Sequence, residues 1–165
     1  MNTNKGKRDI LIFPKFKNLD KIQKIRNKYD NLSNLVPPHI TLVFPFSDKI
    51  SNDELSNKLT TLLNNISPFN ITFQGISLSN DNYIFLNCIN GNDTIIKLHD
   101  TIYSEILPSH IKNSIQYIPH ITLGKSNNKS NLPKLTEKFE TLIDSISIEL
   151  IGENEESIII KTINL

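Results

Sequence analysis

The sequence Pro-His-Ile-Thr-Leu occurs twice in this chain of 165 residues, once in each half. The first copy begins at Pro38 and the second at Pro119, so His39 and His120 are almost half the chain apart. On a β-strand, a His and a Thr two residues apart share one face, while the apolar residues beside them share the other face. Each copy would therefore present an imidazole beside a hydroxyl and direct two apolar side chains to the core.

Two such strands facing each other would place two imidazoles and two hydroxyls around one cavity. Because the unperturbed pKa of histidine is roughly 6.5, one ring is able to act as a base while the other acts as an acid near neutral pH. The hydroxyls of Thr41 and Thr122 would donate hydrogen bonds to oxygens on which negative charge develops. This set of groups is sufficient for phosphoryl transfer without a metal.

The repetition of the motif carries this hypothesis, since a single histidine on a strand is more often structural than catalytic. A duplication kept for packing and a metal site are the alternatives. The metal site is less attractive, because two histidines without a matching carboxylate or cysteine supply too few ligands for zinc. We therefore expect no metal and no cofactor. His99, on the apolar face of a predicted helix, and His110, in a loop after Pro108, are weaker catalytic candidates.

The elements that must position the motifs follow the same order in both halves of the chain. Helical spacing and strand alternation predict strand, helix, motif strand, helix and strand, and so a duplicated fold in one domain. Ser51 and Glu54 form a capping box for one helix, and Pro133 suits the first turn of a helix that carries Leu135 and Phe139. The predicted ranges are 8–78 and 82–151 for the repeats, 157–163 for a last strand, 1–7 for a flexible tail and 1–165 for the domain.

Composition fits an ordinary globular domain, with 38% hydrophobic and 21% charged residues. No apolar run reaches the eighteen or so residues that a membrane helix needs. The polar N-terminus lacks the apolar region of a signal peptide, and the single cysteine, Cys88, excludes an internal disulfide. We expect a cytoplasmic monomer that does not bind membranes.

Charge is uneven along the chain, although the net charge is only +1. Residues 1–30 carry nine basic and three acidic side chains, so the remainder is acidic. One interpretation is a solvated helix face behind a basic tail. The other is a basic rim that attracts the backbone of a nucleic acid.

The two motifs, each of the pattern His-x-Thr-x, resemble those of the 2H phosphoesterase superfamily, and most nearly its bacterial and archaeal 2′-5′ RNA ligase-like branch. The resemblance extends over essentially the whole chain through motif spacing and element order, and its specific signal lies in the two motifs. His39 to Leu42, followed by Phe44, is similar to the family's first motif with its downstream aromatic residue. His120 to Leu123, followed by Lys125, resembles the second motif, after which members often carry a basic residue.

This resemblance implies an α+β fold with two pseudo-symmetric lobes, each an antiparallel sheet backed by helices, around a central cleft. It also implies a hydrolase that opens 2′,3′-cyclic phosphates, or cleaves and joins 2′-5′ linkages, at nucleotides or RNA ends. Lys125 would neutralise phosphate charge, and Phe44 or Tyr117 would stack on a base or else pack in the core. The implied catalytic residues are the motif histidines and threonines: His39, Thr41, His120 and Thr122.

Two other functions stay open at this point. A non-catalytic module for RNA or nucleotides would keep the cleft, although it has no need of two proton-transfer groups. An enzyme of the same kind that acts on a different phosphoester, such as a cyclic phosphate of ADP-ribose, would differ only in its leaving group. The near-symmetric motifs do not say which histidine is the acid.

Overall fold

The computed structural model describes residues 6–165 of the chain. In this part, the chain forms three α-helices and eight β-strands. No helix in this range is long and apolar enough to cross a membrane. The elements are, in order, β1 (Arg8–Ile12), α1 (Leu19–Tyr29), β2 (Ile40–Phe46), α2 (Asn52–Leu63), β3 (Phe69–Leu78), β4 (Tyr83–Asn90), α3 (Asn92–Ile106), β5 (His120–Lys125), β6 (Phe139–Ile143), β7 (Ser145–Ile151) and β8 (Ser157–Asn164).

All eight strands belong to one antiparallel sheet, in the order β6-β3-β4-β5-β2-β1-β7-β8. The motif strands β2 and β5 are neighbours at its centre, where they share a single residue pair, Ile40 opposite Ile121. The prediction of two separate sheets is therefore wrong, because this pair joins the two sets of four strands edge to edge. The α+β class and the helices behind an antiparallel sheet are confirmed.

Each of the two predicted repeats places one strand in the part of the sheet that the other repeat builds. β3 lies between β4 and β6, and β7 lies between β1 and β8. The strand order reads the same from either end when β1 is matched with β4, β2 with β5 and β3 with β7. We therefore propose that residues 8–78 and 82–151 are equivalent repeats, as their element order predicts.

The helices pack their apolar faces on the sheet. Ser51 caps α2 by accepting a hydrogen bond from the backbone N–H of Glu54 at 3.1 Å, which confirms the Ser51 half of the capping box, while the carboxylate of Glu54 pairs with Lys58. Helix α1 packs against β5 and α3 packs against β2, so each helix supports the motif strand of the other half. Several helix side chains are completely buried at this interface: Ile22, Leu55, Leu59, Ile95 and Ile102.

The helix predicted to start at Pro133 is wrong. Phe139–Ile143 forms β6 instead and pairs with β3 along its whole length. The spacing of Leu135 and Phe139 suits a helix, but Phe139 and Ile143 also fit one face of a strand, and the open edge of β3 decides between them. Of the predicted tail, residues 1–5 lie outside the described part, while Gly6 and Lys7 hydrogen bond to Ile151.

Two carboxyl groups are buried together on the first part of the sheet. Asp9 on β1 lies opposite Glu149 on β7, and both side chains are at most 6% exposed. Burial, reinforced by the nearby Glu149, raises the pKa of Asp9 to about 8, and burial also raises the pKa of Glu149. The hydroxyl of Ser157 donates a hydrogen bond to Glu149. At neutral pH, the folded protein therefore holds Asp9 largely in its protonated form.

Candidate active site

The motif strands alternate as the sequence predicts. Ile40 and Leu42 on β2, and Ile121 and Leu123 on β5, are completely buried. The histidines and threonines between them are partly exposed. This alternation directs the polar side chains of both motifs away from the core.

The pairing of Ile40 with Ile121 sets the register of the four polar side chains. Counting one residue in each direction along antiparallel strands, His39 lies opposite Thr122 and Thr41 lies opposite His120. Cross-strand neighbours share a face of the sheet. This register puts the two imidazoles and the two hydroxyls on one face of the sheet on either side of the pair, and His120 lies close enough to His39 to influence its pKa.

Both imidazoles are held in the same way by the backbone just before their strand. The Nδ1 atom of His39 is 2.8 Å from the carbonyl oxygen of Pro37, and that of His120 is 2.7 Å from the carbonyl oxygen of Ile118. Because a carbonyl oxygen only accepts hydrogen bonds, Nδ1 carries the proton in both rings. In the neutral form, Nε2 is then the atom that accepts a proton, and in the charged form it is the atom that delivers one.

Burial lowers the pKa of both histidines. For His39, the carbonyl of Pro37 acts in the opposite direction, and the charge of Arg26 lowers the pKa further. For His120, the carbonyl of Ile118 partly compensates for burial. Arg26 is itself completely buried and is paired with Asp30 through Nη2 at 2.9 Å. The ligand-free site therefore favours two neutral imidazoles near neutral pH.

A β-bulge follows the second motif and brings Lys125 to the same face as Thr122. On β4, Ile84 lies opposite Gly124 and Phe85 lies opposite Thr122, which leaves one extra residue on β5 between these pairs. Such an extra residue reverses the alternation of side chains beyond it. Without the bulge, Lys125 would point to the face of the buried Ile and Leu side chains.

The first motif carries a bulge at the corresponding place. On β1, Ile10 lies opposite Val43 and Leu11 lies opposite Thr41, so Leu42 is the extra residue on β2. The reversed alternation brings Phe44 to the face of Thr41. Phe44 and Lys125 each follow a motif histidine by five residues, so the same device delivers both side chains to the site.

Gly124 makes the second bulge possible through its contact with the end of α1. Its φ is +134°, and a Cβ atom added there would lie 2.1 Å from the carbonyl oxygen of Tyr29. Any side chain would therefore collide with backbone. The absence of one lets α1 close against β5 beside the site.

A cavity of about 590 Å³ opens on the second half of the site. Four residues that the sequence singles out line it, His120, Thr122, Phe44 and Tyr117, together with Ser77, Ser79, Asp81, Tyr83, Phe85, Asn87, Ile115, Gln116 and Ile118. His39 and Thr41 are across the centre of the sheet from it, and Lys125 lies beside Tyr83. The structure thus brings all seven predicted residues to one region, with this cavity on the His120 side.

An aromatic stack that the sequence analysis missed runs from His120 along β4. The ring of Phe85 is stacked on the imidazole of His120 with centroids 3.8 Å apart, and the ring of Tyr83 lies nearly parallel to that of Phe85. The Nζ atom of Lys125 lies 4.4 Å from the centroid of Tyr83. The stack fixes the plane of the imidazole and lines the cavity with aromatic surface. In the sequence, the alternation of Tyr83 and Phe85 along one strand was the signal that could have indicated this stack.

Tyr117 supports the first motif strand rather than offering a free ring. Its hydroxyl donates a hydrogen bond to the carbonyl oxygen of Thr41 at 2.8 Å, and its ring is stacked on His99 at 3.7 Å. A second tyrosine, Tyr103, accepts a hydrogen bond from the backbone N–H of Phe44 at 3.0 Å. Because β2 and β5 pair at one residue only, these hydroxyls satisfy backbone groups that a strand would otherwise pair. His99, on the apolar face of α3, is buried.

Comparison with known proteins agrees with this geometry. The family model of the 2′-5′ RNA ligase superfamily matches residues 14–150. A protein of Geobacillus kaustophilus, described as a candidate phosphoesterase, is 30% identical over 122 residues, which cover 70% of this chain and 67% of that protein. A similar protein of Bacillus licheniformis is 29% identical over 121 residues, which cover 70% of this chain and 69% of that protein.

Solved structures show the same fold at low sequence identity. The crystal structure of Escherichia coli LigT complexed with 3′-AMP has a TM-score of 0.65 and 15% identity, covering 97% of this chain and 98% of LigT. A protein of Thermus thermophilus has a TM-score of 0.68 and 14% identity, covering 96% and 97% of the two chains. The family resemblance predicted from the two motifs is confirmed, and the chain belongs to the 2′-5′ RNA ligase superfamily, a family of 2H phosphoesterases.

Proposed function

We propose that this protein hydrolyses 2′,3′-cyclic phosphodiesters of nucleotides or RNA ends, without a metal, by acid–base catalysis with His39 and His120. The observation that carries this proposal is the pairing of Ile40 with Ile121 at the centre of the sheet, which supports a common site for the two motifs. The matching hydrogen bonds from Nδ1 to a backbone carbonyl support it, because they prepare Nε2 of both rings for proton transfer.

The cyclic phosphate would lie between the two motifs. One imidazole takes a proton from water through Nε2 as the water oxygen attacks phosphorus. The other imidazole, protonated at Nε2, gives its proton to the ribose oxygen as the bond from that oxygen to phosphorus breaks. The product is a phosphomonoester with one free ribose hydroxyl. Thr41 and Thr122 donate hydrogen bonds to the non-bridging oxygens, on which charge develops.

The same site would form a 2′-5′ linkage if a 5′-hydroxyl replaced water. Its oxygen would attack phosphorus, its proton would pass to the basic imidazole, and the 3′-oxygen would leave with the proton of the acidic imidazole. Cleavage of that linkage is the reverse of these steps. Hydrolysis is favoured when water fills the position of the attacking hydroxyl.

The substrate itself supplies part of the charge balance. Because burial favours neutral imidazoles in the ligand-free protein, the acid form needs a nearby negative charge. The phosphate provides that charge when it binds between the rings. Lys125, brought to this face by its bulge, is placed to offset charge that builds up during the reaction.

The nucleoside would occupy the cavity on the His120 side. Aromatic rings of Phe85 and Tyr83 line this space, and polar groups of Asn87 and Gln116 lie around it. Structures of the LigT fold complexed with 3′-AMP, ATP and NADP⁺ support a nucleotide as the ligand class. Phe44 contributes a further wall, whereas Tyr117 is occupied with the backbone of Thr41.

Turnover of a substrate panel in excess EDTA tests the proposal. The panel contains the four nucleoside 2′,3′-cyclic phosphates, a 2′-5′-linked dinucleotide and a cyclic phosphate of ADP-ribose. We expect His39→Ala and His120→Ala each to lower turnover by about 10²–10⁴-fold, the usual contribution of a general acid or base. His110→Ala is the matched control, since His110 pairs with Asp48 and meets β2 at Phe46, beyond the His-x-Thr motif.

Turnover that is retained in either motif variant would contradict the two-histidine mechanism. Turnover that disappears in EDTA and returns with a divalent cation would contradict the metal-independent reaction. Nucleotide binding without turnover of any compound would favour the non-catalytic module.

A further inference from the structure

A second groove, of about 590 Å³, lies behind the active site between α1 and residues 131–137. Four exposed lysines line it: Lys21, Lys24 and Lys28 from α1, and Lys134 from the facing wall. Their spacing on α1 puts the first three on one side of the helix. Glu137 is the acidic residue of this wall, so the groove carries a clear excess of positive charge.

Most of this charge is not neutralised within the described part of the chain. Lys21 pairs with Glu137 at 2.8 Å, at one position along the groove. Lys28 lies over the ring of Tyr29 at 5.2 Å, and Lys24 and Lys134 have no ion pair among residues 6–165. Several like charges held along one groove favour a ligand with repeated negative charges over a single anion.

The groove begins where the second motif strand leaves the active site. Tyr29 lines the groove, and its carbonyl oxygen lies directly against Gly124 of β5. The next residue, Lys125, faces the catalytic side of the sheet. The segment after Lys125 carries Lys129 and continues to Asn131, which lines the groove.

We propose that this groove binds the phosphodiester backbone of an RNA strand whose terminal phosphate occupies the active site. The inference rests on the proposed function and adds the size of the substrate, a strand rather than a mononucleotide. Lys21 to Lys28 span about 10 Å along the helix axis, at 1.5 Å per residue. That length matches about three phosphates at the roughly 3.4 Å spacing of a stacked strand. This assigns the basic start of the chain to a nucleic-acid surface, the second of the two interpretations of its charge.

Fluorescence anisotropy of a ten-nucleotide single-stranded RNA tests the groove. The RNA carries 5′-fluorescein and a 3′-phosphate, so that it is not turned over during the measurement. The test variant is Lys24→Gln/Lys28→Gln/Lys134→Gln. The control is Lys49→Gln/Lys97→Gln/Lys161→Gln, which removes the same charge from other exposed positions. Hydrolysis of adenosine 2′,3′-cyclic phosphate is measured in parallel.

We expect the groove variant to bind the RNA about 100-fold more weakly at 0.1 M salt. For single-stranded RNA, each lysine–phosphate contact that is removed reduces the salt dependence of log affinity by about 0.7. The slope of log affinity against log salt should fall by about 2, and turnover of the cyclic mononucleotide should be unchanged. The control should retain both the affinity and the slope of the unmodified protein.

Equal weakening in the test and control variants would overturn the proposal, since binding would then follow net charge alone. Displacement of the RNA by polyglutamate at equal charge concentration would also overturn it, in favour of an acidic protein partner. Groove-dependent RNA binding without turnover of the cyclic mononucleotide would support the groove and contradict the proposed function, so the two can fail separately.

Discussion

Replacing Gly124 by alanine tests the claim that the second bulge depends on contact with α1. A Cβ atom at this position would lie 2.1 Å from the oxygen and 2.2 Å from the carbon of the Tyr29 carbonyl. Both atoms belong to backbone, so no change of rotamer relieves the collision. Either the end of α1 or the bulge of β5 has to move.

The size of the effect follows from two contributions. A positive φ in a residue other than glycine costs about 1–3 kcal/mol. Forcing extra volume into a packed contact costs about 1–3 kcal/mol more. Gly124→Ala should therefore lower the free energy of unfolding by about 2–6 kcal/mol, a large part of the about 5–15 kcal/mol typical of a domain.

Gly75→Ala is the matched control. Gly75 also has a positive φ, +85°, but a Cβ atom there would have no heavy atom within 4 Å. Gly75→Ala should incur only the cost of a positive φ. The difference in unfolding free energy between the two variants therefore isolates the contact with α1. Urea unfolding monitored by circular dichroism gives both free energies by linear extrapolation.

A consequence for activity follows from the same contact. If α1 and the bulge shift, Lys125 loses its place beside Tyr83, and the Gly124→Ala protein that remains folded should turn over cyclic phosphates more slowly than the Gly75→Ala protein. Equal unfolding free energies for the two variants would refute the reasoning, since they would show that α1 does not press on this position.

The remaining predictions concern protons and the tyrosine support. Burial lowers the pKa of His39 and of His120, and inorganic phosphate bound between the rings should raise both pKa values again. NMR titration of the ring protons measures this change, and unchanged pKa values would show that the anion binds elsewhere. Because these folded-state pKa values lie below the unfolded value of roughly 6.5, stability should fall as the pH drops below about 6.5, and His39→Asn/His120→Asn should reduce that fall. The pKa of Asp9 is about 8 in the folded protein, against 3.8 for an ordinary aspartate, so stability should decrease as the pH rises between these values. Asp9→Asn should flatten that dependence, as measured by urea unfolding at pH 5 and pH 8. An unchanged difference in unfolding free energy between the two pH values would mean that Glu149, rather than Asp9, holds the shared proton. Tyr117→Phe should lower kcat by about 10-fold with little change in KM, because the lost hydrogen bond holds the backbone of Thr41; a rise in KM alone would instead indicate that Tyr117 contacts the nucleoside.

The parts of the site that depend on local pattern were predictable from the sequence. The alternation of His39 and Thr41 with buried apolar residues is a property of a single strand. The capping of α2 by Ser51 is equally local. These features need no knowledge of the neighbouring elements.

The parts that depend on contacts between distant segments were not predictable. Strict alternation would put Lys125 on the face of Ile121, and the bulge that reverses it depends on the meeting of Gly124 with Tyr29. The helix expected after Pro133 lost to pairing with β3, an element more than fifty residues earlier. Nothing near Tyr117 in the sequence shows that its hydroxyl reaches a carbonyl of the first motif.

The exchange of β3 and β7 between the two parts of the sheet has a consequence for how the protein is made. β1 and β2 leave the ribosome well before β7, which pairs with the other edge of β1 and begins only at Ser145. Until then, the first motif strand belongs to an incomplete sheet with an open edge, and neither half of the chain has all its strands. The active site should therefore form only after β7 has been synthesised, in one cooperative step that is slow because its strand pairs are far apart in sequence.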